Sequence, residues 1–285
     1  MSKSIVGGDL SHRAPYGLPV RDFNAAFSSS SSDATFSIRG YNTSLPAGTA
    51  GATESTVDGW KLTIGVAGNV PLTNAANTAV DKKNMCIDAT ALSITPPAGV
   101  RHYNSSSWRV CAVVFTDGLR AGEDARPDGT CSAVLPDDCI HQLQTESVAT
   151  KAGRAETCRD LDLPDSCAGH FKGNAGTAFE ITPIGNSSRA DRRSMFFAAG
   201  SDPVQKGNKS SLVAAQRHIW PLVLAWTHFN EIGDVQDSAG WLSCARTTES
   251  KEVTGGGPRL GAENLLSIPG WLILIWAMSI VLMAN

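Results

Sequence analysis

The chain has 285 residues, 42% of them hydrophobic, which is material enough for a sizeable core and excludes disorder along its whole length. Charged residues make up 18%, below the roughly 25% of an ordinary soluble domain, and the net charge is −3. Residues 1–150 carry 11 basic and 14 acidic side chains and the remainder carry 13 of each, so neither half has the basic excess that a nucleic-acid partner requires.

Residues 1–33 show no hydrophobic period and include the run Ser28–Ser32, so they read as a flexible arm. Ala34–Arg39 alternates through Phe36 and Ile38 and reads as a strand. Thr43–Thr56 is rich in Ala, Gly, Thr and Ser and reads as a loop or an O-glycosylated stretch. Trp60, Leu62, Ile64 and Val66 then alternate with polar or small residues, the period-2 pattern of a strand with one buried face. Met85–Thr95 reads as another strand, ended by Pro96-Pro97 because proline cannot donate to a ladder. Trp108–Thr116 is apolar on both faces and reads as a central strand. Short strands at this spacing predict a β-sandwich-like region over residues 34–117.

Gly118–Thr130 is a charged loop with a Pro127-Asp128-Gly129 turn signal. Pro136 suits the first position of a helix, Asp137 and Asp138 complement its N-terminus, and Ile140, Leu143 and Val148 face the core from it. Ala178–Ile184 and Met195–Ala199 read as strands. Ser210–Ile219 reads as a helix capped by Ser210 or Ser211, ended or kinked by Pro221, with Leu222–Phe229 as a second apolar helix. Residues 118–244 thus form a smaller, cysteine-stapled α+β region, and residues 245–264, without pattern, a stalk or spacer.

Residues 265–285 are a hydrophobic tail, expected to be helical. From Asn264 to Asn285 there is no ionisable side chain. Leu265–Ala284 as a helix reaches about 30 Å, one hydrocarbon thickness, but Pro269-Gly270 interrupts it and leaves an unbroken run of about 21 Å from Trp271 to Ala284. That length fits the hydrophobic part of a GPI-attachment signal, with Gly255 and Gly256 as attachment candidates and Pro258–Asn264 as a short polar spacer. A retained membrane helix is the alternative. Met1–Val20 lacks the apolar stretch of a secretory signal. Either the true start lies upstream, or the protein is tail-anchored with a cytosolic domain.

Two features favour the lumenal reading. Four N-x-[ST] sequons occur, at Asn42, Asn104, Asn186 and Asn208. Seven cysteines occur, Cys86, Cys111, Cys131, Cys139, Cys158, Cys167 and Cys244, five of them within residues 111–167, which reads as a disulfide framework. Cys131 and Cys139 bracket a turn and helix start, Cys158 and Cys167 bracket a proline-containing loop, and Cys86 and Cys111 lie on strands that would be neighbours; Cys244 is one candidate for the odd thiol. Spacing does not fix the pairing. The competing reading is zinc, at Cys139-Ile-His141 and Cys167-Ala-Gly-His170, but neither pair has the second knuckle that structural zinc prefers. No metal or cofactor is therefore expected.

Catalytic motifs are wanting: there is no G-x-S-x-G elbow and no H-E-x-x-H. Gly207-Asn-Lys-Ser210 misses the P-loop pattern, and Asp160, Asp162 and Asp165 read as a solvated acidic loop because Pro164 and Cys167 break the EF-hand pattern. His218 and His228, near Trp220 and Trp226, read as packing residues, and Trp60 and Trp108 as core.

The stretch from Trp108-Arg-Val-Cys111 through Asp128-Gly-Thr-Cys131 to Asp138-Cys139, with Ile219-Trp220-Pro221, resembles uncharacterised cell-surface glycoproteins of filamentous fungi, which share a G-x-C-x(7)-C element before a helix and a hydrophobic C-terminal tail. The likeness covers residues 110–245 and brings no known activity. The chain is therefore expected to be a non-enzymatic, extracellular glycoprotein of the cell surface, held to the membrane through its C-terminus, with cell-wall carbohydrate as a candidate partner. The alternatives are a secreted-type hydrolase acting on cell-wall polysaccharide and the cytosolic tail-anchored protein.

Overall fold

The computed structural model describes residues 4–76, 84–100, 102–120, 125, 127–148, 158–182 and 194–248. The expected tail helix, Gly255, Gly256 and Asn186 lie outside them. Among the described residues no helix is long and apolar enough to cross a membrane.

The described body is mainly β: eleven strands in two antiparallel sheets, with three α-helices. In chain order these are β1 (Ser4–Gly7), α1 (Val20–Phe27), β2 (Ser32–Ile38), β3 (Trp60–Pro71), β4 (Met85–Thr95), β5 (Trp108–Val114), α2 (Asp137–Val148), β6 (Leu161–Asp162), β7 (Ala175–Ile181), β8 (Ser194–Gly200), β9 (Val204–Gln205), α3 (Lys209–Arg217), β10 (Trp220–Phe229) and β11 (Val235–Ala245). The first sheet runs β1-β8-β4-β3-β2, with β9 also pairing β4; the second runs β11-β10-β5-β7-β6.

Alternation along each strand builds the core between the sheets. Trp60, Leu62 and Ile64 of β3 and Leu92 and Ile94 of β4 meet Val110, Ala112 and Val114 of β5 and Leu222, Leu224 and Trp226 of β10 in one buried cluster. The indoles of Trp60 and Trp226 meet edge to face with centroids 4.8 Å apart. Two further clusters cover the outer faces. Val113 of β5, Phe115 just after it, Val223 of β10 and Leu242 of β11 pack with Cys139 and Leu143 of α2. Val70 of β3, Ile87 and Ala89 of β4 pack with Leu10, Leu18 and Phe23 from the N-terminal segment.

Several expectations are overturned. The arm expected over residues 1–33 is not an arm where it is described, from Ser4 on: it contains β1 and α1, and its apolar residues are spaced to cover the outer face of β3 and β4. The boundary near residue 117 is no boundary, because β8 lies between β1 and β4, and β10 and β7 flank β5. Leu222–Phe229 is a strand, not a helix; β10 is apolar on both faces because it pairs β5 on one side and β11 on the other with both surfaces covered. Pro221 is tolerated at the start of β10, where its carbonyl accepts from Phe115 N–H at 3.0 Å. Nor does a stalk begin at 245, since Arg246 and Thr247 are buried and the Thr247 hydroxyl donates to the Gln216 carbonyl at 3.1 Å. The helix opening after Pro136 forms as expected, with Leu143 fully buried.

Replacing Trp226 with Ala removes a fully buried indole from the centre of the inter-sheet core and should cost about 3–5 kcal/mol. Ile232→Ser, at a side chain 82% exposed in the β10–β11 turn, should stay within about 0.5 kcal/mol of the parent. Denaturant titration of both variants checks the contrast.

Candidate functional site

The six paired cysteines converge on one face. Cys111 of β5 bonds Cys158, Cys131 bonds Cys244 of β11, and Cys139 of α2 bonds Cys167, with Cα–Cα distances of 5.6, 5.0 and 4.8 Å. Cys131, Cys139, Cys167 and Cys244 lie in the same cluster, under α2 on the outer side of the second sheet. The bridges close loops of 47, 113 and 28 residues. Each would remove about 3.5–5 kcal/mol of unfolded-chain entropy alone, but the loops overlap and the contributions do not add.

Spacing leaves the pairing open, and the structure joins none of the cysteines that bracket a short loop. Cys131 reaches past Cys139 to Cys244 because the loop after β5 crosses to the end of β11, where Gly129 bridges Cys244 in antiparallel fashion. Cys158 turns back to β5 rather than to Cys167. Cys111 and Cys86 lie on strands of different sheets, so they are not neighbours, and Cys86 rather than Cys244 is the odd thiol. The zinc reading loses its ligands, since the sulfurs of Cys139 and Cys167 are bonded to each other. Among the described residues no group of three or more His, Cys, Asp or Glu side chains is placed to hold a metal.

Cys86 is buried on β4, its Sγ 3.4 Å from the Val204 carbonyl and 3.6 Å from Asn69 Oδ1. Burial pushes its pKa up, the Asp88 carboxylate two residues on adds to the rise, and Lys206 only partly opposes it. The group stays a thiol and acts as a weak donor, the opposite of an activated nucleophile.

Among the described residues, the His228–Asp237 pairing resembles a catalytic dyad but has a structural role. His228 of β10 is fully buried, with Nδ1 4.0 Å from Asp237 Oδ2 of β11 and Nε2 3.0 Å from the Pro46 carbonyl. A carbonyl can only accept, so Nε2 carries the proton and donates it to the loop. Its ring leans on Trp108, centroid to centroid 4.8 Å, rather than on Trp226. Asp237 Oδ2 accepts from Ala52 N–H at 3.2 Å, and the Phe229 carbonyl from Gly48 N–H at 3.1 Å. The β10–β11 hairpin therefore clamps residues 46–52 at three atoms, the Pro46 carbonyl and the Gly48 and Ala52 amides. His218, the other histidine read as packing, lies 4.3 Å from the Trp220 ring at the end of α3.

Trp60 and Trp108 are buried, and the exposed large hydrophobics among the described residues are Val213 and Ile232, neither of them aromatic. Trp241 is partly covered: Arg39 stacks on it with Cζ 4.3 Å from the centroid, and its Nε1 donates to the Tyr41 hydroxyl at 3.1 Å.

Of the sequons, Asn42 and Asn104 are half-buried and face each other across one seam, where Asn104 N–H donates to the Thr43 carbonyl at 2.9 Å. Asn208 is exposed and caps α3, its Oδ1 accepting from Ser211 N–H at 3.2 Å; the sequence had assigned this role to Ser210 or Ser211.

Two measurements follow from this geometry. Thiol titration of the unfolded, unreduced protein should find one free sulfhydryl, and labelled peptides should place it at Cys86; labelling at any other cysteine overturns the pairing. All three tyrosines have raised pKa values through burial, Tyr103 from 10.0 to about 12, with the Glu180 charge adding to its rise. A phenol whose folded pKa lies above its unfolded value contributes stability that is whole below pH 10 and is lost as pH rises through the folded value. Tyrosinate absorbance should therefore appear late, above pH 10, in the folded protein and return to the ordinary range in denaturant.

Comparison of the chain with protein-family models, with curated proteins and with solved structures finds no match in any of the three.

Proposed function

We infer that this chain is a non-enzymatic glycoprotein of the cell surface, its body a disulfide-stapled β-sandwich presented outside the cell and its C-terminal segment the attachment to the membrane. The observation that carries this reading is the set of three disulfides, together closing most of the chain between Cys111 and Cys244. Such bonds persist in the secretory pathway and outside the cell and are reduced in an ordinary cytosol. The non-enzymatic part is supported by how the reactive-looking groups are used: the proton on His228 Nε2 is given to a loop carbonyl, and Cys86 is held as a protonated thiol. The apolar run Trp271–Ala284 supports attachment at the C-terminus.

Fractionation of the cells that make the full chain tests this. The protein should partition with membranes, react with a membrane-impermeant biotin reagent on intact cells, and leave the membrane on treatment with a phosphatidylinositol-specific phospholipase. Recovery in the cytosolic fraction with all cysteines reduced overturns the reading.

A further inference from the structure

Asn208 differs from the other described sequons in standing on a wholly exposed stretch, whereas Asn42 and Asn104 are half-buried. Asn208 Oδ1 accepts from Ser211 N–H at 3.2 Å and from the Ser210 hydroxyl at 2.7 Å, while Nδ2 has no partner among the described residues. Residues 205–210 are all exposed, and nothing lies within 4 Å of where a Cβ on Gly207 would point. A substituent on Nδ2 therefore leaves the helix cap intact and projects into solvent.

In the half-buried Asn42–Asn104 seam, Asn42 Oδ1 likewise accepts a backbone N–H, from Ser44 at 3.2 Å, but the surroundings are closed. Asn104 Nδ2 points at the Leu45 carbonyl, 3.5 Å away, and its backbone carbonyl accepts from Ser107 and Trp108 N–H at 3.0 and 2.9 Å. Beside Asn42, Thr43 is fully buried, and the Ser44 hydroxyl donates to the His102 carbonyl at 3.0 Å instead of to the Asn42 amide. This seam joins the loop clamped by His228 to the entry of β5, next to the stacked Tyr41 and Trp108 rings. A sugar wedged there has to part the two segments.

We propose that Asn208 carries an N-linked glycan and that Asn42 and Asn104 do not in the folded protein. The inference rests on the extracellular reading above. The co-reactant is an oligosaccharide linked to a lipid pyrophosphate: Asn208 Nδ2 forms a bond to the anomeric carbon and gives up one proton, while the bond from that carbon to the pyrophosphate oxygen breaks and the lipid pyrophosphate leaves. Transfer precedes folding, so the fold acts as a filter: a glycan at Asn208 is kept without distortion, and one in the seam opposes closure.

The test uses the full chain isolated from the cells that make it. Enzymatic release of N-glycans in heavy-oxygen water converts each formerly glycosylated Asn to a mass-labelled Asp, read by peptide mapping. The label should appear at Asn208 and be absent from Asn42 and Asn104. Ser210→Ala should abolish it with loss of one glycan's gel shift, while the Asn208 cap on Ser211 stays. Intact disulfides with Asn208 unlabelled, or label at Asn42 or Asn104, overturns this inference alone. Reduced cysteines with no label anywhere overturns it together with the extracellular reading.

Discussion

Strand β10 is enclosed on both faces and along both edges, and the rest of the body depends on its being so. Leu222, Leu224 and Trp226 point into the core shared by the two sheets, while Val223 points the other way, into the cluster beneath α2. β5 and β11 take its backbone hydrogen bonds on either side. A strand with no wet face contributes apolar burial to two cores at once, at about 25 cal/mol per Å² removed from water. It also fixes the position of whatever is attached to its ends: His228 near its C-terminal end reaches the Pro46 loop, and Pro221 at its start receives the Phe115 amide.

The same double burial explains what could be read from the sequence and what could not. β3 and β4 were legible because tryptophan, leucine and isoleucine alternate there with smaller residues, and proline pairs mark the end of β4. α2 was legible from Pro136, Asp137 and Asp138. β10 was not: like β5 it is apolar on both faces and lacks a period-2 signal, but it also carries a proline at its second position, which mimics a helix stop. β11 has the reverse problem: Ser238, Ala239 and Gly240 carry too little apolar contrast to show alternation. The N-terminal segment was missed because its covering residues, Leu10, Leu18 and Phe23, are set by the surface of β3 and β4 rather than by a period of their own. The candidate site was legible as composition only. Clustered cysteines announced a disulfide framework, but which sulfurs meet is decided by strand order, which local spacing does not encode.

The covalent bonds are distributed unevenly between the two sheets. All three disulfides lie on the second sheet and its cover, and the first sheet is held by packing and hydrogen bonds alone, with its single cysteine kept as a thiol. Among the described residues the cover on the second sheet has little regular structure, one α-helix and a single helical turn at Asp165–Cys167. Cross-links there do what a larger core would otherwise do. The first sheet has the longest described strand, the twelve residues of β3, and stands without them.

Cys244 lies four residues before the end of the described body, and its bond runs to Cys131, on the far side of α2 in sequence. Tension applied to the chain beyond Thr248 therefore does not peel β11 away from β10 one hydrogen bond at a time. At Cys244 the load crosses the sulfur bridge into the loop before α2, and the hairpin behind it is shielded. A body tethered from that end would yield first in the few residues outside the bridge.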